Sequence, residues 1–193
     1  MGGGTGIQVG FEQNNVLFNY PEFGDQLIIG KFCSIASDTK LTMGAANHRI
    51  STVTTYPFHV FGGAWTENTP PHLSQLPRKG DTIVGNDVWL GRECTVVPGV
   101  KIGDGAMVAA CSVVVNDIPL YAVFGGNPAR LLKYRFDGEL IDLLLVFRWW
   151  ELPPEELAEV LPLLCDPDLE QVRQELRARV RSRAAGASQP ELS

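Results

Sequence analysis

Several features that would mark a secreted, membrane-bound or nucleic-acid-binding chain are missing from this sequence. Its four cysteines, Cys33, Cys94, Cys111 and Cys165, are far apart and form no CxxC pair. That spacing argues against a disulfide scaffold and a zinc knuckle, and leaves reduced thiols as the expectation. No apolar run approaches the ~20 residues that cross a bilayer, so no membrane partner is expected. A basic excess is absent too, since 16 Lys and Arg stand against 22 Asp and Glu for a net charge of −6. Nucleic acid is therefore not an expected partner. Met1-Gly2-Gly3-Gly4 has neither the charge nor the apolar stretch of a targeting peptide, and a cytoplasmic location is expected. Histidine is scarce: the three in the chain, His48, His59 and His72, all fall in one aperiodic stretch.

What the sequence does contain is a beat of six. Val84, Leu90, Val96, Ile102, Val108 and Val114 recur every sixth residue, and Val88, Cys94, Val100, Ala106, Ser112 and Ile118 follow each of them by four. An alternating strand needs a period of two and an amphipathic helix one near 3.6, so this spacing predicts short strands wound into a triangular solenoid. Each hexapeptide is one face, and three make a turn. Ile29, Ile35 and Leu41 give an earlier turn with the same beat, and residues 7–10 read as one further face. Residues 43–81 interrupt the rhythm with three histidines, prolines and the aromatic residues Tyr56, Phe58, Phe61 and Trp65. Aperiodic stretches of this length inside a compact domain are usually functional. The later sequence is helical: an apolar face at Leu140, Leu143, Leu144 and Phe147, a helix start at Pro153-Pro154-Glu155-Glu156, and a charged amphipathic run over 169–180. The expected organisation is a mainly β domain over 1–136 with an inserted loop at 43–81, a helical appendage over 137–184, expected to cap the last turn of the solenoid, and a tail over 185–193.

His48 stands out because it lies where the chain leaves the repeat, in Asn47-His48-Arg49. An imidazole there can take the proton of an acceptor hydroxyl as its oxygen attacks an acyl thioester, then return it to the departing thiolate. A lone loop histidine is ordinarily only a hydrogen-bonded surface residue, so the surrounding pattern has to decide. Three histidines also raise the possibility of a catalytic zinc. All three lie in one excursion without a short ligand spacing, and no metal is expected.

The pattern around His48 resembles the xenobiotic acetyltransferases, the hexapeptide-repeat enzymes that include the streptogramin A and type B chloramphenicol acetyltransferases. It is carried by Asn47-His48-Arg49, Thr55-Tyr56-Pro57-Phe58, Leu76-Pro77-Arg78-Lys79-Gly80-Asp81-Thr82 and Gly85-Asn86-Asp87-Val88-Trp89-Leu90-Gly91, and continues through residues 98–105, Gly125-Gly126-Asn127-Pro128-Ala129 and Trp149-Trp150. The match spans roughly residues 16–152. The resemblance implies a left-handed parallel β-helix, acetyl-CoA as co-substrate, a small-molecule hydroxyl acceptor, a homotrimer with sites between subunits, and His48 as the catalytic base.

The same resemblance places the coenzyme's extended arm near Trp89, Gly91, Ala109 and Ala110. An eighteen-residue turn would stack Gly91, Ala109 and Asn127 at one corner, where small side chains let a ligand approach backbone and an amide meet the thioester oxyanion. Arg130 and Lys133 follow as a pair that either meets the coenzyme phosphates or is simply solvated. Asn116 stands beside Asp117 where many hexapeptide enzymes contact coenzyme, though the pair also reads as a turn. Cys111 follows Ala110 and is read as inert. On the acceptor side the implied residues are Tyr20, Asn47, Leu76 and Pro77. The chain departs from the family after Val9-Gly10, where a tyrosine-rich segment is missing, so one wall of the usual drug pocket is expected to be absent. Two alternatives stand beside the leading reading. One is transfer to a sugar or other metabolite; the other is a catalytically silent trimeric scaffold.

Overall fold

The computed structural model describes residues 10–48, 50–69 and 76–186. The strand face expected at residues 7–10, apart from Gly10, as well as Arg49, His72 and the end of the tail, lies outside them. The chain divides into two compact units, Met1–Lys133 and Tyr134–Ser193.

The first unit opens with a short helix, α1 (Phe11–Asn15), and then lays down strands of two to five residues: β1 (Val16–Leu17), β2 (Leu27–Ile29), β3 (Ser34–Ile35), β4 (Lys40–Thr42), β5 (Thr82–Val84), β6 (Trp89–Leu90), β7 (Thr95–Val96), β8 (Lys101–Ile102), β9 (Met107–Val108), β10 (Val113–Val114), β11 (Ala122–Gly125) and β12 (Arg130–Tyr134). They collect into three sheets, ordered β1-β4-β7-β10, β2-β5-β8 and β12-β11-β9-β6-β3. From β1 to β10 successive strands visit the three sheets in strict rotation, and neighbouring turns pair in parallel. Short strands follow directly from the six-residue beat, which leaves two or three residues for each face before the next corner.

Parallel register puts like positions over like. Ile83 pairs with Lys101, Trp89 with Met107 and Thr95 with Val113, each eighteen residues on. The anchors Val84, Leu90, Val96, Ile102, Val108 and Val114 therefore stack inside, all at most 2% exposed, and Val88, Cys94, Val100 and Ala106 fill the corners behind them. Removing each large aliphatic side chain from water contributes roughly 1.5–3 kcal/mol. Between the first described turn and the next the offset is fifty-five residues on every face: Leu27 to Thr82, Ser34 to Trp89 and Lys40 to Thr95. The rotation thus continues from β4 to β5 across residues 43–81, which form no strand among their described residues but include α2 (Gly63–Glu67).

The last turn is shorter than the spacing predicts. Ile118 bridges Ile102, and Val123 and Phe124 pair with Met107 and Val108, intervals of sixteen. Asp117 closes the corner early: its Oδ1 accepts the Lys101 amide at 2.8 Å, while the Ile118 amide donates to the Lys101 carbonyl at 2.9 Å. The expected stack of Gly91, Ala109 and Asn127 is corrected accordingly. Ala109 opposes Gly125, and its amide donates to the Phe124 carbonyl at 2.8 Å.

In the second unit, α3 (Gly138–Phe147) buries Leu140, Leu144 and Phe147, and Asp137 caps it by accepting the Leu140 amide at 3.0 Å. α4 (Pro154–Leu164) starts on a proline and α5 (Leu169–Gly186) follows. Arg173 of α5 donates to Asp137 at 2.7 Å and to Glu139 at 3.2 Å. Its neighbour Arg177 also bonds Glu139. The largest fully buried side chain of this unit is Trp150, with Trp149 set edge-on at 5.8 Å.

Candidate active site

The first foot of the 43–81 excursion is built on a glycine. After β4 the chain makes a 3-10 turn at Gly44–Ala46, then Asn47 and the exposed His48. The Gly44 amide donates to Asp25 Oδ2 at 2.7 Å, and a Cβ at Gly44 would stand 3.0–3.2 Å from the carboxylate atoms. Only a residue without a side chain fits beside Asp25 without displacing it. Asn47 closes the turn, its backbone and side-chain N–H groups both donating to the Gly44 carbonyl at 3.1 Å. The same Nδ2 reaches the Pro77 carbonyl at 3.4 Å and so ties this foot to the returning chain.

The second foot is held by the same segment. Asp81 Oδ1 accepts the Gln26 amide at 2.8 Å, the Thr82 amide donates to the Gln26 carbonyl at 2.9 Å, and Arg78 donates to the Phe23 carbonyl at 2.9 Å. Between the feet lies a pocket of about 130 Å³ lined by Phe23, Asp25, Gly44, Pro77 and Arg78 among others. Asp25 also borders a cavity of about 520 Å³ with apolar walls at Phe11, Leu27 and Ile29.

Among the described residues, the imidazole of His48 meets a main-chain carbonyl. Its Nδ1 lies 3.3 Å from the carbonyl oxygen of Thr55. A carbonyl only accepts, so this contact requires the proton on Nδ1 and leaves the Nε2 lone pair free to take a proton from a substrate. Directly after Thr55 come four rings in mutual contact: Tyr56 stacks on Phe61 at 5.3 Å and meets Phe58 at 4.7 Å, and Trp65 stands edge-on to Phe58 and Phe61 at 5.5 and 6.0 Å. They remain 37–54% exposed, an apolar surface that begins one residue after the carbonyl that His48 meets.

The proposed coenzyme edge lies at another corner. Trp89 is 43% exposed on β6, and Ala110 is exposed beyond β9. Gly91, however, is buried, and a Cβ there would lie 2.6 Å from the Ala110 amide nitrogen and 2.7 Å from the Val108 carbonyl oxygen. Its smallness serves the approach of the next turn of backbone. Asn116 is exposed beside Asp117, Arg130 donates to the adjacent Ala129 carbonyl at 3.0 Å, and Lys133 is exposed. On the acceptor side, Tyr20 is 54% exposed, but Leu76 is only 6% exposed and Asn47 and Pro77 are engaged with each other. Asn47 and Pro77 join the two feet of the loop. Excursion residues leave between β4 and β5, whereas Gly91 and Ala109 follow β6 and β9; among the described residues no recorded contact joins the two groups.

Sequence reasoning missed two groups that the structure sets around this foot of the loop. The Thr55 carbonyl is a main-chain group and leaves no side-chain signature, and Asp25 lies in an irregular stretch without a repeat position to mark it. Among the described residues no three His, Cys, Asp or Glu side chains converge on a possible metal site, and no helix is long and apolar enough to cross a membrane.

Known proteins bear on this geometry. The family pattern described as bacterial transferase hexapeptide (six repeats) matches residues 81–116. A probable macrolide acetyltransferase of Lysinibacillus sphaericus is 48% identical over 151 residues, covering 78% of this chain and 83% of that protein. The virginiamycin A acetyltransferase of Staphylococcus aureus is 44% identical over 161 residues, 83% of this chain and 73% of the relative. A chloramphenicol acetyltransferase of Morganella morganii is 41% identical over 149 residues, 75% of this chain and 69% of the relative. Among solved structures, the N-acyltransferase AntD of Bacillus cereus, in complex with dTDP and coenzyme A, aligns with a TM-score of 0.44 at 24% identity over 63% of this chain and 59% of that one. That likeness is too slight to carry an argument.

Proposed function

The chain belongs to the xenobiotic acetyltransferase family, and from that premise we propose that it moves an acetyl group from acetyl-CoA directly to a hydroxyl of a small, antibiotic-like acceptor with His48 as general base. The observation that carries the reading is the Nδ1 contact to the Thr55 carbonyl, which presents Nε2 as the acceptor of a proton. In the reaction the acceptor hydroxyl gives its proton to Nε2 as its oxygen bonds the thioester carbonyl carbon. The tetrahedral oxyanion then collapses, the carbon–sulfur bond breaks, and the imidazolium returns the proton to the coenzyme thiolate. A backbone amide at the coenzyme edge serves the oxyanion. Relatives named for macrolide, virginiamycin A and chloramphenicol acetylation support an antibiotic-like acceptor.

The architecture completes the proposal. The three-sheet winding is a left-handed parallel β-helix, residues 43–81 are its inserted loop, and residues 137–184 are a helical appendage. Trp89, Gly91, Ala109 and Ala110 border the coenzyme arm, with Asn116, Arg130 and Lys133 toward its polar end. Because His48 and that edge sit at different corners of the rotation, a working site takes the base from one copy and the edge from another, as in a homotrimer. Use of acetyl-CoA is in keeping with a cytoplasmic location.

The test mixes the protein with acetyl-CoA and chloramphenicol, a streptogramin A, a macrolide or maltose while following thiol release. Turnover on one of the three antibiotics that falls in His48→Ala supports the proposal. Turnover only on maltose moves the acceptor class to sugars, and no turnover above the variant on any acceptor sinks the enzyme reading.

A further inference from the structure

We infer that Asp25 is the positioning residue of the reaction, acting through Gly44 on the placement of His48; the inference rests on the reading of His48 as the base. Asp25 precedes β2 and is separated in sequence from the excursion, yet its Oδ2 takes the Gly44 amide at 2.7 Å. That bond fixes the peptide from which the 3-10 turn is hung. Gly44 in turn offers its carbonyl to the Asn47 backbone and side chain, both at 3.1 Å, and Asn47 is the residue before His48. A three-link chain therefore runs from a carboxylate on the repeat to the residue carrying the base: Asp25 to Gly44, Gly44 to Asn47, and Asn47 to Pro77 on the returning foot.

Two observations separate this from ordinary loop anchoring. First, Asp25 lies against Gly44 so closely that a methyl group there would press on all three carboxylate atoms at 3.0–3.2 Å, so the pair is matched in shape as well as in hydrogen bonding. Second, His48 is exposed, and its ring meets the main chain at the Thr55 carbonyl, 3.3 Å from Nδ1. An exposed base depends on its backbone for its position, and a misplacement of ~1 Å costs about 100-fold in rate. The backbone four residues before it is where Asp25 binds.

Three variants and two readouts test this. Asp25→Asn keeps an acceptor oxygen for the Gly44 amide, Asp25→Ala removes it, and Gly44→Ala pushes against it. Imidazole nitrogen NMR on labelled protein, with His48 assigned by its loss in His48→Ala, reports the tautomer without any acceptor. Acetyl-CoA turnover with the best acceptor of the panel reports kcat and KM. We expect Asp25→Ala to release the Nδ1-protonated tautomer and lower kcat ~10- to 100-fold with KM for acetyl-CoA held within about twofold. Asp25→Asn retains the tautomer and at least a third of kcat. Gly44→Ala resembles Asp25→Ala and adds little to it in the double variant, as coupled neighbours do. An unchanged His48 spectrum in Asp25→Ala, or equal kcat losses in Asp25→Ala and Asp25→Asn, overturns the inference. Absence of turnover in the unmodified protein defeats the acetyl-transfer reading instead, while the spectra still decide what Asp25 does.

Discussion

Residues 82–118 and the aromatic stretch 56–65 of the excursion use apolar side chains in opposite ways. In the repeat, Val84, Leu90, Val96, Ile102, Val108 and Val114 are almost wholly inside, each backed by its counterpart in the next turn. In the excursion, Tyr56, Phe61 and Trp65 remain at least half exposed and lean on one another. Hydrogen bonds divide the same way. Those of the repeat join turns eighteen residues apart, such as Gly91 amide to Val108 carbonyl at 2.8 Å. Many in the excursion are local, for example Thr66 to the His59 carbonyl at 2.7 Å and Asn68 to the Ala64 carbonyl at 2.7 Å. The difference teaches that the repeat is built for stability, while the excursion carries the proposed base, and that the joint between them is a pair of carboxylates, Asp25 and Asp81.

The division is broken most severely at His48. His48→Ala is expected to lower kcat ~10²- to 10⁴-fold while its thermal midpoint stays put, because an exposed side chain away from core or caps shifts stability by no more than about 0.5 kcal/mol. Leu90→Ala should do the reverse. Truncating a fully buried leucine costs about 2–5 kcal/mol, read as a shift of the denaturant midpoint, with the residual folded fraction turning over normally. Trp65→Ala lies between them: loss of its two edge-on contacts costs roughly 1 kcal/mol or less at an exposed site, and a change larger than that would mean the rings form a second core.

Two smaller effects sharpen the same line. Cys111 is exposed directly beyond Ala110, so coenzyme A bound along that edge should slow its alkylation several-fold, followed by mass spectrometry. Cys94 is the internal control, since it is buried and desolvation raises its pKa. In the helical unit, hydrogen bonding to Arg173 holds the Asp137 carboxyl well below its usual range, and Arg177 does the same for Glu139. Depressed folded pKa values make this contribution complete above the ordinary carboxylate range and lost as pH falls through the folded values. Arg173→Ala should therefore lower the thermal midpoint at pH 7 but change it less at pH 2, checked by scanning calorimetry at both.

The repeat was legible in the sequence because its period appears directly in aliphatic side chains. Its end was not. Val114 and Ile118, four apart, read as two positions of one hexapeptide, whereas Ile118 pairs with Ile102 and starts the next face. The misreading followed from the Asp117 carboxylate replacing main-chain partners, a substitution that hydrophobic spacing does not record. Gly91 shows the same limit: its position at a corner was evident, but whether a ligand or the Ala110 backbone filled the space beside it was a question of distance. His48 was legible through the residues around it. Its orientation was not, since that depends on the carbonyl of Thr55, and any residue there would present the same group.

The strand that closes the five-stranded sheet carries a last consequence. β12 is the outermost member of its sheet and is exposed at every residue. An unpaired strand edge is a template on which other chains can add. Arg130 and Lys133 on that strand place positive charge along the open edge, and two copies meeting there would set like charges against each other. A chain ending before Arg130 would expose β11 instead, with Val123 and Phe124 and no charge, and is expected to polymerise rather than stop at a defined assembly.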